Sequence, residues 1–121
     1  MAINKILIVD DTPSEMEAFK NAMPKVNARV ITAGSGQAAI DAAKAEMPDI
    51  IFMDIVMDDV DGYNACRTLR DDPVTKDIPV IFVSSKNQRA DHMWAERQGG
   101  KALIGKPATT EQIQEQLTKF G

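Results

Sequence analysis

The stretch Ile6-Leu7-Ile8-Val9-Asp10-Asp11-Thr12-Pro13-Ser14-Glu15 joins a strand, an acidic turn and a helix start in one run. Ile6 to Val9 is apolar on both faces and too short for a helix, which suits a strand buried inside a parallel sheet. Two acids follow at once. Thr12 then offers an N-cap, Pro13 suits the first helical position, and Glu15 stands where a capping box needs it. Met16, Phe19, Lys20 and Met23 continue at helical spacing until Pro24 stops the helix.

The same cycle recurs down the chain. Arg29 to Thr32 reads as a second strand. Ser35 caps a helix running through about Glu46, with Ala39, Ile40 and Ala43 on its apolar side, and Pro48-Asp49 breaks it. Ile50-Ile51-Phe52-Met53 is a third strand ending in Asp54. A loop from Ile55 to Asp61 leads to a helix carrying Tyr63, Cys66 and Leu69, ended by Asp71-Asp72-Pro73. Pro79 to Val83 is a fourth strand ending in Ser84-Ser85. A helix from about Arg89 to Gln98 stops at Gly99-Gly100, a C-cap signal. Ala102-Leu103-Ile104 is a short fifth strand, Lys106-Pro107 follows, and Thr109 with Gln112 forms a capping box for the last helix. This alternation predicts an α/β fold: a doubly wound, five-stranded parallel sheet with five helices on its two faces.

Length and composition agree. At 121 residues the chain is expected to form one domain over 1–121, and hydrophobic residues at 44% can fill its core. A net charge of −4 argues against a general nucleic-acid or anionic-membrane binder. No apolar run approaches the roughly 20 residues of a membrane span. The segment Met1 to Ile6 lacks the apolar region of a signal peptide, and the lone Cys66 excludes an internal disulfide, so a cytoplasmic location is expected.

In doubly wound sheets the working edge lies at the carboxyl ends of the strands. There the chain places Asp10 and Asp11 after strand one, Asp54 after strand three, Ser84 after strand four and Lys106 after strand five. If strands one and three are neighbours, three carboxylates converge and a cation must compensate them. Oxygen ligands in an open site favour Mg²⁺, which accepts phosphate oxygens as further ligands. A carboxylate nucleophile, a divalent ion, a lysine and a hydroxyl together suit phosphoryl transfer.

Val9-Asp10-Asp11, Met53-Asp54-Ile55-Val56-Met57 with Asp61-Gly62, Val83-Ser84-Ser85 and Lys106-Pro107 resemble the receiver domains of two-component response regulators, in the same order and over essentially the whole chain. The resemblance implies the flavodoxin-like (CheY-like) strand order 2-1-3-4-5. It implies that Asp54 is the phosphoacceptor, loaded from a phosphohistidine of a partner histidine kinase. It also implies that Asp11 binds Mg²⁺ directly with Asp10 holding the ion or its water, that the Val56 backbone carbonyl is a further ligand, and that Asp54 completes the metal set. Lys106 would bind the phosphoryl oxygens, after a cis bond to Pro107, and Ser84 would move toward the phosphoryl group. The switched surface would be the fourth helix, fifth strand and fifth helix, from Arg89 to Lys119, meeting a downstream protein. Such a chain catalyses only its own phosphorylation and dephosphorylation and is expected as a stand-alone monomer. Asp11-Thr12-Pro13-Ser14-Glu15-Met16, Val83-Ser84-Ser85-Lys86 and Trp94-Ala95-Glu96-Arg97-Gln98-Gly99 are similar to PilH-type single-domain receivers of chemotaxis-like systems that control type IV pili and twitching motility.

Departures accompany the match. The resemblance leads one to expect proline at Asp58, so the loop after Asp54 is predicted to be more mobile and more acidic. Tyr or Phe is usual at Leu103, which puts the aromatic switch of the family in question. Val56 and Lys86 stand where other members carry acids or amides that orient water, which predicts slow self-dephosphorylation. Competing readings are a degenerate receiver that binds partners without phosphorylation, a phosphate sink, an aspartyl-phosphate phosphatase and a flavin binder. The phosphatase lacks an acid at Val56, and Asp10-Asp11 would repel a flavin phosphate. His92 reads as solvated, Ser85 as a turn residue, Cys66 as a packed small hydrophobe and the seven methionines mostly as core. Trp94 fits either inward packing or an exposed partner contact.

Overall fold

The computed structural model describes residues 3–121. Strands and helices alternate as β1 (Lys5–Val9), α1 (Pro13–Ala22), β2 (Arg29–Ala33), α2 (Gly36–Glu46), β3 (Ile50–Asp54), α3 (Gly62–Arg70), β4 (Val80–Ser84), α4 (Arg89–Arg97), β5 (Ala102–Gly105) and α5 (Thr110–Phe120). The sheet is parallel in the order β2-β1-β3-β4-β5, as expected. Met1 and Ala2, the first residues of the segment read for a signal peptide, lie outside the described residues.

Side-chain alternation along each strand divides the core in two. Leu7 and Val9, Ile51 and Met53, Val80 and Phe82, and Leu103 pack with Ala39, Ile40 and Ala43 of α2 and Ala65, Cys66 and Leu69 of α3. Ile6 and Ile8, Ile50 and Phe52, Ile81 and Val83, and Ile104 pack on the other face with Phe19 of α1 and Ile113 and Leu117 of α5. The central strands β3 and β4 are buried throughout, which is why they read as unbroken apolar runs. β2 is an edge strand and is largely exposed.

Most helix signals perform as read. The Ser35 hydroxyl accepts from the Ala38 N–H at 3.1 Å, and Thr109 and Gln112 form their reciprocal capping box at 3.0 and 3.2 Å. Gly99 takes φ +98° after α4, where a left-handed residue ends a helix. The box expected at Thr12 and Glu15 does not form: Thr12 makes no side-chain cap bond. The Glu15 carboxylate is drawn instead to Lys106, 3.3 Å away. The methionines are mostly core, as expected. Met53 and Met57 are buried, Met16 and Met23 are half-buried against the α1/α5 cluster, Met47 and Met93 are exposed, and Met1 lies outside the described residues. Trp94 is 49% exposed and meets the Tyr63 ring edge-on, so it is not packed inward. The Tyr63 ring in turn meets Phe82 edge-on. His92 is exposed, its ring nitrogen 3.1 Å from the Asn87 carbonyl.

Two outcomes follow from this packing. Phe52 is 1% exposed and its ring lies 5.1 Å from that of Phe19, so Phe52→Ala is expected to remove about 3–5 kcal/mol of stability in urea unfolding. Burial pushes the Cys66 thiol from 9.0 up to about 11, against the weaker pull of the Arg70 and Arg67 charges. The unfolded chain therefore loses this proton first, so the contribution of Cys66 is intact below pH 9.0 and fades as pH rises toward about 11. The stability difference between wild type and Cys66→Ala should shrink or invert between pH about 8 and pH about 10.5, with the native thiol unreactive to alkylation at the lower value.

Candidate functional site

Register and alternation assemble the site. Val9 pairs with Met53 across β1 and β3, so the next residues, Asp10 and Asp54, stand side by side at the sheet edge. Both continue the alternation of Ile8 and Phe52 and lean toward the α1/α5 face. Ser84 pairs with Gly105, and Lys106 comes next, in phase with Ile104 on that same face. Glu15 enters from α1, one helical turn before the buried Phe19.

The result is one ammonium among three carboxylates. Lys106 Nζ lies 3.0 Å from Asp54 Oδ1, 3.1 Å from Asp10 Oδ2 and 3.3 Å from Glu15 Oε2. Asp10 and Asp54 are nearly buried, and a buried carboxylate needs such a partner. Burial pushes the Asp54 carboxyl above its ordinary value; the Lys106 hydrogen bond and charge oppose the rise, and the charges of Asp10 and Glu15 add to it. Burial pulls Lys106 down, but the hydrogen bonds and charges of Asp54 and Asp10 outweigh it and hold the ammonium above its ordinary value. Lys106 is followed by a cis bond to Pro107, and its backbone N–H donates to the Ser84 carbonyl at 3.0 Å.

Asp11 follows the opposite alternation. Its Oδ2 accepts the Asp58 N–H at 3.1 Å rather than facing Lys106. It lines the open cleft at the sheet edge with Asp54, Val56, Ser84 and Lys106. The Val56 side chain is exposed beside that cleft. Ser84 is buried, and its hydroxyl oxygen accepts the Lys86 N–H at 3.0 Å, which leaves the hydroxyl proton free for another acceptor. The Asp54 contacts to Lys106 and to the Ile55 N–H both fall on Oδ1. Gly62 is required where α3 begins, since a Cβ there would lie 2.3 Å from the Asp54 carbonyl oxygen.

One carboxylate oxygen from each of Asp10, Glu15 and Asp54 lies within 4.8 Å of the other two, a hard-donor set that fits a divalent ion such as Mg²⁺. Sequence reasoning read Glu15 only as a capping residue. Its i, i+4 spacing to Phe19, the anchor of the α1 apolar stripe, was the available signal that it faces the sheet. The loop after Asp54 is hydrogen-bonded to Asp11 at residue 58. The residue at 58 has an N–H that proline would lack, and it is spent on Asp11.

Residues 6–118 match the response regulator receiver domain family. The chain belongs to this family. It is 39% identical to protein PilH of Pseudomonas aeruginosa over 109 residues, which cover 90% of each chain. It is 31% identical to protein PilG of the same organism over 90% of this chain and 81% of PilG. The receiver domain of a sensor histidine kinase from Pseudomonas aeruginosa, with a magnesium ion coordinated in its active site cleft, superposes with a TM-score of 0.87 at 24% identity, covering 98% of each chain. The chain is thus a CheY-like receiver similar to PilH and PilG. No helix among the described residues is long and apolar enough to cross a membrane.

Removing the shared cation should expose what it offsets. Lys106→Met leaves Asp10 and Asp54 buried without their partner and is expected to lose about 3 kcal/mol or more in metal-free buffer at neutral pH. Adding Asp54→Asn to that variant should restore part of the loss, a coupling measured by a double-mutant cycle in urea.

Proposed function

We propose that this chain is a stand-alone response regulator that takes a phosphoryl group on Asp54 from a histidine kinase or its phosphotransfer domain. The observation that carries the reading is the Lys106 ammonium on Asp54 Oδ1, with Oδ2 left free of hydrogen bonds among the described residues. Lys106 and the Ile55 N–H fix the carboxylate by one oxygen, and the other attacks phosphorus. The new bond forms from this oxygen as the phosphorus–nitrogen bond of the phosphohistidine breaks, and the imidazole departs with its electron pair. Lys106 then offers its charge to the phosphoryl oxygens, and Ser84 has a hydroxyl proton to donate to one of them. Mg²⁺, held by Asp10, Asp11, Asp54 and the Val56 carbonyl, supplies charge neutralisation for the transferring group when bound. Glu15 joins this acidic set from α1.

The added charge of about −1.5 to −2 lands where one lysine already serves three acids, so it must redistribute those contacts. We place the output on α4, β5 and α5, where Met93 and Trp94 stand exposed on α4 for a protein partner. The similarity to PilH and PilG supports a role in a pilus motility or chemotaxis-like pathway. Leu103 is buried in the core, so the signal would pass without an aromatic side chain at that position.

Intact mass after incubation with a small-molecule phosphodonor and Mg²⁺ tests this. One added phosphoryl group is expected on the wild type and none on Asp54→Ala or in the presence of chelator. Addition to Asp54→Ala, or none to the folded wild type even with a cognate kinase, would remove the reading in favour of a phosphorylation-independent binding module.

A further inference from the structure

The loop between β3 and α3, residues 55–61, is tied down on both sides. The Asp58 N–H donates to Asp11 Oδ2 at 3.1 Å. The Asp59 carboxylate accepts the Gly36 and Gln37 N–H groups at 3.0 Å each, at the start of α2. The two segments meet so closely that a Cβ on Gly36 would lie 2.0 Å from the Val60 carbonyl oxygen. The N–H groups of Gln37, Val60 and Gly36 hold the Asp59 carboxyl down to about 2, so it is an anion at any working pH.

This strap acts on one acid of the cleft. Asp10 and Asp54 are oriented by Lys106, whereas Asp11 has its Oδ2 set by the loop amide. Among the described residues its Oδ1 keeps only a 3.4 Å contact from the Thr12 hydroxyl and so retains lone pairs for a ligand. A metal-binding carboxylate whose second oxygen is already hydrogen-bonded loses less rotational freedom on binding. We propose that Asp59 and the Asp58 amide are positioning elements of the metal site: Asp59 pins the loop to α2, and the pinned loop holds Asp11 with Oδ1 available to a divalent ion. The inference rests on the metal-dependent reading above. It assigns a function to the residue type at 58, because proline there has no N–H to give.

The experiment is a Mn²⁺ titration of the full chain without phosphodonor, with free Mn²⁺ read by electron paramagnetic resonance. Asp58→Pro deletes the amide, Asp58→Asn removes the charge and keeps the amide, and Asp59→Ala releases the anchor. Asp58→Pro and Asp59→Ala are expected to bind Mn²⁺ about tenfold more weakly, while Asp58→Asn stays close to the wild type. Equal affinity of Asp58→Pro and Asp58→Asn would overturn the inference and leave the phosphoacceptor reading standing. So would a lowered metal-free melting temperature for Asp59→Ala with an unchanged dissociation constant, since that marks a purely structural strap. A wild type that binds no Mn²⁺ would overturn the inference together with the metal-dependent reading beneath it. Should Asp58→Pro fail to fold, Asp59→Ala against the wild type decides alone.

Discussion

Asp54, Asp10 and Glu15 are held around the Lys106 ammonium at 3.0, 3.1 and 3.3 Å, and the rest of the working edge is arranged about that contact. Two carboxylates cannot stay ionised at the nearly buried end of an apolar sheet without a counter-charge. Burial raises the Asp54 carboxyl most, the shared lysine opposes the rise, and the charges of Asp10 and Glu15 add to it. An edge with surplus negative charge has room for a further cation, and a phosphoryl group arriving there competes for the same lysine. The contact that permits the fold is therefore the one that ligands disturb.

The parallel sheet makes this contact without any long-range design of its own. Strand pairing puts Val9 beside Met53 and Ser84 beside Gly105, and the next residue in three strands supplies Asp10, Asp54 and Lys106. Period-two alternation turns these three to the α1/α5 face. The same alternation sends Asp11 the other way, where it meets the loop after Asp54 rather than the lysine. Adjacent acids thus acquire different partners: Asp10 is neutralised by a charge, and Asp11 is oriented by an amide.

That loop connects the site to the opposite side of the sheet. Asp59 reaches the N-terminal N–H groups of α2, and Gly62 lies against the Asp54 carbonyl where α3 begins. Movement at the sheet edge is consequently constrained by α2 and α3 on one face and by α1 and Lys106 on the other. α4 is different in kind. Its exposed Met93 and Trp94 leave apolar surface open to a partner, with the Trp94 ring resting edge-on against Tyr63.

The sequence by itself determined the strand and helix order, the two-faced core and the chemistry of the strand ends. Those features are local: β-branched runs such as Ile50 to Met53 bury both faces, caps such as Ser35 and Thr109 start helices, and polar groups must leave the sheet where the apolar run ends. The separation of Asp10 from Asp11 was not read from the sequence, where three carboxylates were expected to converge; the structure shows it as alternation after Ile8 and Val9. Only the tertiary structure decided that Glu15 abandons its capping role for Lys106, because the attraction comes from a residue at the far end of the chain. It also decided that the amide of Asp58 and the carboxylate of Asp59 hold Asp11 and α2, since both partners lie far along the chain and neither acid signals them in its own neighbourhood. Local propensity specifies elements and their polarity, whereas a shared ion or a loop strap depends on which elements the sheet brings within hydrogen-bonding distance.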